Sequence, residues 1–167
     1  MRVLLLGASG TIGLATAREL ISQGHELVCF LRQAADKQSA RSHDTLSNLL
    51  AGASLRFGDP CQLSSLRQDG FANERFDAVV SCMASRTGSP KDAWRVDYQA
   101  HVFALQAAQE VGVQYFVQLS AICVQKPLLE FQKAKLAFER ALIESGLTYV
   151  IVRPTAFFKS LSGQLTR

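Results

Sequence analysis

Near its start the chain carries Gly7-Ala8-Ser9-Gly10-Thr11-Ile12-Gly13, between the apolar run Val3-Leu4-Leu5-Leu6 and a helical pattern that continues to about Ser22. Few folds accommodate that arrangement. The apolar run reads as a buried strand. Gly7 then lets the backbone reverse where a Cβ would clash, and Gly10 leaves room for a pyrophosphate against the main chain. The amides of Gly10, Thr11 and Ile12 start a helix without intrahelical acceptors, at the positive end of its macrodipole, so the turn from Ser9 to Ile12 suits an anion. Gly13 shares a helical face with Ala17, Leu20 and Ile21, and its bare Cα lets the helix lie close on the sheet. The spacing is GxxGxxG, and glycines alone also mark ordinary turns. The strand before and the helix after them make this a dinucleotide-binding turn.

The rest of the chain alternates strand and helix. Glu26 to Leu31 reads as a second buried strand ending in Arg32, where such folds meet the adenosine ribose. An acidic residue there accepts from a 2′-hydroxyl, whereas an arginine suits a 2′-phosphate. Arg32 is the first polar residue after the strand and the nearest acid is Asp36, so NADPH is favoured over NADH. Arg41 offers a second cation, although a solvated arginine is the commoner outcome in such a segment. A third strand, Ser54 to Phe57, ends in Gly58-Asp59-Pro60, where Asp59 either meets the adenine end of the cofactor or opens a turn. A short helix from Leu63 to Gln68 leads to a fourth strand, Phe76 to Met83, which delivers Ala84 and Ser85 to the ligand crevice. The loop from Arg86 to Pro90 reads as mobile. Asp92 to Val111 forms a long helix carrying Trp94, Tyr98 and His101 as packing or half-exposed residues. The fifth strand, Tyr115 to Leu119, presents Ser120 to the same crevice. A helix from about Pro127 to Gly146 follows, then a sixth strand, Tyr149 to Val152, closing on Arg153-Pro154. The expected fold is a single α/β domain over residues 1–167: a Rossmann-like doubly wound parallel sheet with strand order 3-2-1-4-5-6.

Composition narrows the function. With 48% hydrophobic and 19% charged residues the chain has an ordinary globular balance. Its net charge of +4 is spread along the sequence rather than clustered, which argues against a nucleic-acid surface. No apolar run reaches the roughly 18 residues of a membrane span. Cys29, Cys61, Cys82 and Cys123 are far apart, without metal-ligand spacing, and read as buried reduced thiols; no metal is expected. With no leader pattern at the first residues, a cytoplasmic location is expected.

The glycine turn, Ser120, and a lysine one helical turn after an aromatic residue resemble the short-chain dehydrogenase/reductase superfamily, in its extended or atypical branch. There the resemblance implies a serine at the end of the fifth strand and a YxxxK helix whose lysine holds the nicotinamide ribose. The stretch Ser120-Ala121-Ile122-Cys123-Val124-Gln125-Lys126-Pro127-Leu128-Leu129-Glu130-Phe131-Gln132 with Lys135, followed by Val152 to Leu161, is similar to the divinyl chlorophyllide 8-vinyl reductases. That resemblance implies NADPH-dependent reduction of a tetrapyrrole vinyl group to ethyl, with Lys135 and Ser120 as catalytic candidates. Lys135 and Pro154 are expected around the nicotinamide end, with Ala84 and Ser85 as cofactor contacts in the crevice and Phe157 and Phe158 as wall or core. Two departures follow. Phe131 stands in the tyrosine slot, so protonation is left to water, to a polar group near Ser120, or to Lys135. Members of the family also continue beyond this length to build the tetrapyrrole pocket, so the substrate half is expected to be missing. A non-catalytic NAD(P)H-binding module, a redox sensor or assembly protein, is the alternative. Self-association through uncovered apolar sheet surface and a peripheral membrane contact are further expectations.

Overall fold

The computed structural model describes residues 1–32 and 43–155. Asp36, Arg41, Phe157 and Phe158, weighed above, lie outside the described residues. The strands β1 (Arg2–Leu6), β2 (Glu26–Arg32), β3 (Ser54–Gly58), β4 (Ala78–Ser81), β5 (Tyr115–Leu119) and β6 (Thr148–Val152) form one sheet in the order β3-β2-β1-β4-β5-β6. Every neighbouring pair is parallel, which places all the carboxyl ends on one edge. Central β1 is registered Leu6 to Phe30 on one side and Leu6 to Ser81 on the other.

Alternation along β1 divides the core. Val3 and Leu5 join Leu27, Cys29 and Leu31 beneath helices α1 (Thr11–Ser22) and α2 (His43–Leu49). Leu4 and Leu6 join Val28, Phe30 and Val79 on the opposite face. There the cover comes from α3 (Leu63–Ser65) and the wider π turns that continue it (Leu66–Phe71), from α4 (Pro90–Ala93) through α5 (His101–Glu110), and from α6 (Glu130–Glu144). Apolar residues on both faces explain why the strands are near-continuous hydrophobic runs.

The long helix is not uniform. Between α4 and α5 the backbone winds as π turns over Trp94–Ala100 and buries Val96, Asp97 and Ala100. Insertions of this type are rare and recur at functional sites. The start of α6 is also later than Pro127: Leu129 caps it, and the Gln132 side chain accepts from the Leu128 and Leu129 amides at 2.9 and 3.0 Å. The loop read as mobile is instead tied down, because the Asp92 carboxylate accepts from the Arg86 and Thr87 amides at 2.9 and 3.0 Å. Ser89 caps the following helix through the Asp92 amide at 3.2 Å.

The four thiols are all free, yet only Cys29 is fully buried, and burial pushes it up to about 12. Cys61 and Cys82 are half-buried and Cys123 is exposed, so the expectation of uniformly buried cysteines fails. The reason is position: Cys61 and Cys82 stand just past strand ends, at the sheet edge where a cleft opens.

Candidate functional site

Between the carboxyl ends of β1 and β4, where the strand order reverses, lies a cleft of about 300 Å3. Open α/β sheets bind ligands at such a switch point. Its floor is the glycine turn, with Gly7, Ser9, Gly10, Thr11, Ile12 and Gly13 all contributing. Phe30, Leu31 and Arg32 form the β2 side, Pro60 and Cys61 lie beyond it, and Cys82 to Arg86, Val96 and Leu119 form the β4–β5 side.

Three glycines in the turn do different work. Gly7 has φ +81°, and a Cβ on it would stand 2.7 Å from the Cys82 carbonyl carbon, so the turn presses against the end of β4. A Cβ on Gly13 would meet the Gly7 oxygen at 2.1 Å; this glycine brings the helix against the turn itself rather than against the sheet at large. Gly10 has an ordinary φ of −79°, and the nearest atom to its missing Cβ is 3.4 Å away. Among the described residues no other atom comes within 4 Å of that position, which is the clearance an incoming diphosphate needs. Gly10 is also the N-cap of α1 without any side-chain cap, leaving the helix start open to an anion. One expectation changes: the Gly10 amide donates to the Gly7 carbonyl at 3.1 Å, so it closes the turn and is not a spare donor.

Arg32 is exposed at the cleft rim, near Asp92, whose carboxyl is held below its usual range chiefly by the Thr87 amide, with Arg32 contributing. Arg86 lines the same cleft, a second cation that sequence reading passed over. Asp59 does not reach inward. Its carboxylate accepts from the Cys61 amide at 2.9 Å and pairs with Arg95 at 3.4 Å, so the turn-opening role is the one seen, and Pro60 and Cys61 face the cleft in its place.

Behind these walls is a buried polar cluster. Lys135 of α6, 5% exposed, pairs with Asp97, 1% exposed, at 3.1 Å, and donates to the Leu119 carbonyl at 3.3 Å. Asp97 also accepts from the Ser85 amide at 3.3 Å. His101 is fully buried, 2.8 Å from both the Ser81 hydroxyl and the Val96 carbonyl. A carbonyl only accepts, so Nδ1 carries the proton and Nε2 accepts from Ser81. Burial first, then the nearby Lys135 cation, pull this imidazole down to about 3, and it is neutral at physiological pH. Burial likewise raises the Cys82 thiol, whose sulfur is 3.7 Å from the Thr16 hydroxyl. Ser120 is buried, its amide donates to Val152 at 2.7 Å, and its hydroxyl has no partner among the described residues. A buried polar atom left open beside a cleft residue is a feature that a ligand or water completes. Pro154 accepts from the Ile122 amide at 3.0 Å through its carbonyl, joining the loop after β5 to the end of β6.

The glycine turn, Arg32, Ala84 and Ser85 therefore share one cleft, while Ser120, Lys135 and Pro154 sit around the end of β5 and reach the cleft through Leu119 and Ser85. Asp97 and the role of His101 were missed. A signal existed: Asp97 is four residues before His101 and shares the inward stripe of Ala93, Ala100 and Ala104, where a carboxylate is out of place.

Sheet order, switch-point cleft and glycine turn together define a Rossmann-type dinucleotide-binding protein. A family model described as NAD(P)H-binding matches residues 7–165, and the chain belongs to that family. Its ligand is a nicotinamide dinucleotide, and the donor-rich turn, the Gly10 clearance and the open Ser120 hydroxyl fit one. The chain is 47% identical, over 98% of its length, to the divinyl chlorophyllide a 8-vinyl-reductase, chloroplastic, of Cucumis sativus, and 43% identical over 99% to that of Arabidopsis thaliana. It spans 40% and 41% of those relatives' own lengths. It is also 30% identical, over 98% of its length and 47% of the relative's, to the photosystem II assembly factor Ycf39 of Synechocystis sp.. Among solved structures, Bordetella bronchiseptica WbmG in complex with NAD superposes with a TM-score of 0.75 at 20% identity, over 92% of this chain and 52% of that one, a likeness of fold. The reductase relatives are named chloroplastic, which overturns the expectation of a cytoplasmic location. That expectation rested on the first residues alone, which do not record a compartment. No helix among the described residues is long and apolar enough to cross a membrane.

Proposed function

We propose that the chain is the nucleotide-binding part of an NADPH-dependent reductase that converts the 8-vinyl group of a divinyl chlorophyllide to ethyl, working in the plastid. The observation that carries this reading is the 47% identity that runs across 98% of the chain. Bound NADPH supplies a hydride to the carbon–carbon double bond, and a proton completes the ethyl group. The chain's own residues hold the cofactor: the turn from Gly7 to Gly13 takes the diphosphate, Arg32 the 2′-phosphate, Ala84 and Ser85 the β4 side, and Lys135 the nicotinamide ribose, near Ser120 and Pro154. Phe131 carries no exchangeable proton, so it takes no part in acid–base chemistry. Reduction of a conjugated C=C forms no alkoxide and needs no tyrosine. A proton from water, or through the Ser120 hydroxyl, suits this geometry better than one from a lysine already paired with Asp97.

Incubated with NADPH and divinyl chlorophyllide, the protein is expected to move the Soret band to shorter wavelength. NADPH binding with no spectral change supports a second reading, a non-catalytic NAD(P)H-binding module, which the 30% identity to an assembly factor also favours. For the 2′-phosphate, Arg32→Asp is expected to weaken NADPH by about 100-fold, the scale of a lost charge-assisted contact turned repulsive, and to leave NADH nearly unchanged. Equal weakening of both nucleotides removes Arg32 from the 2′-phosphate site.

A further inference from the structure

We propose that the loop from Ser120 to Leu129, with Trp94 beside it, is a shelf for the flat face of a tetrapyrrole, and that Lys126 takes the macrocycle's carboxylate. The inference rests on the reductase reading, and adds to it the place where the substrate lies on this chain.

The shelf begins as a departure from local preference. Helix α6 starts at an N-cap, a position that favours serine, threonine, aspartate or asparagine and where leucine is among the poorest choices. Leu129 stands there, 57% exposed, and Leu128 before it is 87% exposed. Neither belongs to the core, so both leave water only when something else covers them. Their backbone is nonetheless held, because the Gln132 side chain accepts from both amides. Earlier in the loop Cys123 has φ +66°, a conformation that residues with side chains rarely adopt and that recurs at ligand sites. The Lys126 amide closes that turn on the Cys123 carbonyl at 3.2 Å, buried Val124 anchors it, and the Ile122 amide ties it to Pro154. The loop thus presents Ile122, Leu128 and Leu129 outward from a fixed frame, which spares a ligand the cost of ordering it.

Trp94 extends the surface. It is 39% exposed, and its Nε1 donates to Glu130 at 2.9 Å, which lays the indole against the first turn of α6. The Tyr98 ring meets it edge-on at 5.6 Å. The two segments follow the carboxyl ends of β4 and β5, so the shelf stands on the sheet edge that carries the cleft, in the loop that Ser120 opens. A vinyl group that takes hydride from a nicotinamide near Ser120 brings its macrocycle over this edge.

Charge selects the occupant. Glu130 is engaged by Trp94 and, at 2.6 Å, by Lys133, whereas exposed Lys126 makes no ion pair among the described residues. A second copy of this surface would set that cation against its like, and a purely apolar partner would leave it unanswered. A chlorophyllide offers a broad apolar ring with a propionate at its margin, and so answers both the leucines and the lysine.

The test titrates the protein, with NADP+ present to prevent turnover, with divinyl protochlorophyllide and with its propionate methyl ester. Quenching of Trp94, the single tryptophan, reports binding. Leu128→Ser with Leu129→Ser removes the apolar surface and gives α6 a better N-cap, so the variant is expected to fold. It is expected to bind both ligands at least about tenfold more weakly. Lys126→Glu is expected to weaken the acid about tenfold and leave the ester within about twofold. Equal loss of acid and ester in Lys126→Glu, or unchanged binding in the double leucine variant, overturns the shelf and leaves the reductase reading intact. The same holds if the leucine variant changes only self-association in sedimentation, which makes the surface a contact between copies. A wild type that binds NADP+ but neither tetrapyrrole overturns the shelf and the reductase reading together.

Discussion

Position 10 carries a glycine that the protein's own packing does not require. Its φ is one any residue adopts, and a Cβ there would come no closer than 3.4 Å to the other described residues. Gly10→Ala is therefore expected to unfold within about 2 °C of the wild type, a change of a few tenths of a kcal/mol at this size, and to lose nucleotide affinity. Gly7→Ala, at φ +81° with a clash at 2.7 Å, is expected to lower the melting temperature severely; similar stability for the two variants contradicts this division of labour. His101 gives a second residue-scale expectation. Its native value of about 3 lies below the ordinary 6.5, so the unfolded chain binds the extra proton first and stability falls as pH drops below about 6.5. Between pH 6.5 and 5 the wild type should lose about 2 kcal/mol in urea unfolding through this group, and His101→Gln should remove most of that slope. The turn glycines were legible because each answers a backbone demand tied to local sequence. Asp97 and His101 left only the trace of polar residues on an inward stripe, because their partners, Lys135 and Ser81, come from distant elements that only the folded chain brings near.

Strands and helices were readable almost throughout, since runs such as Leu27 to Leu31 and the stripe through Phe138 and Leu142 carry their period in plain view. What period could not show is how helix ends and turns are held. The loop after β4 looked mobile from its Gly and Pro, yet one carboxylate at the start of the next helix gathers two of its amides and the Thr87 hydroxyl. Asp92→Ala is expected to cost about 1 kcal/mol, the net worth of such bonds, and to weaken nucleotide binding by freeing Arg86 at the cleft. Urea titration alongside NADPH titration checks it; no change in either contradicts the role given to Asp92. The shift to π turns at Trp94 was invisible for a related reason: helical period alone runs on unbroken from Asp92 to Val111, and only tertiary packing decides where an extra residue is absorbed.

For the molecule as a whole, alternating strand and helix sufficed for the sheet order, while compartment lay outside what these residues record. The edge strand β6 leaves Tyr149, Val150 and Val152 exposed. Such an edge is a pairing surface, so the 167-residue chain is expected to self-associate with concentration in sedimentation runs, and Val150→Lys to restore a monomer. A monomer at every concentration contradicts that. A reductase or a binding module alike requires the cleft at the β1–β4 switch point to hold a nicotinamide dinucleotide. Isothermal titration of the folded protein with NADPH, and separately with NADP+, tests it most directly: a saturable one-to-one heat at micromolar concentrations is the predicted result, and silence toward both nucleotides at millimolar levels would contradict it.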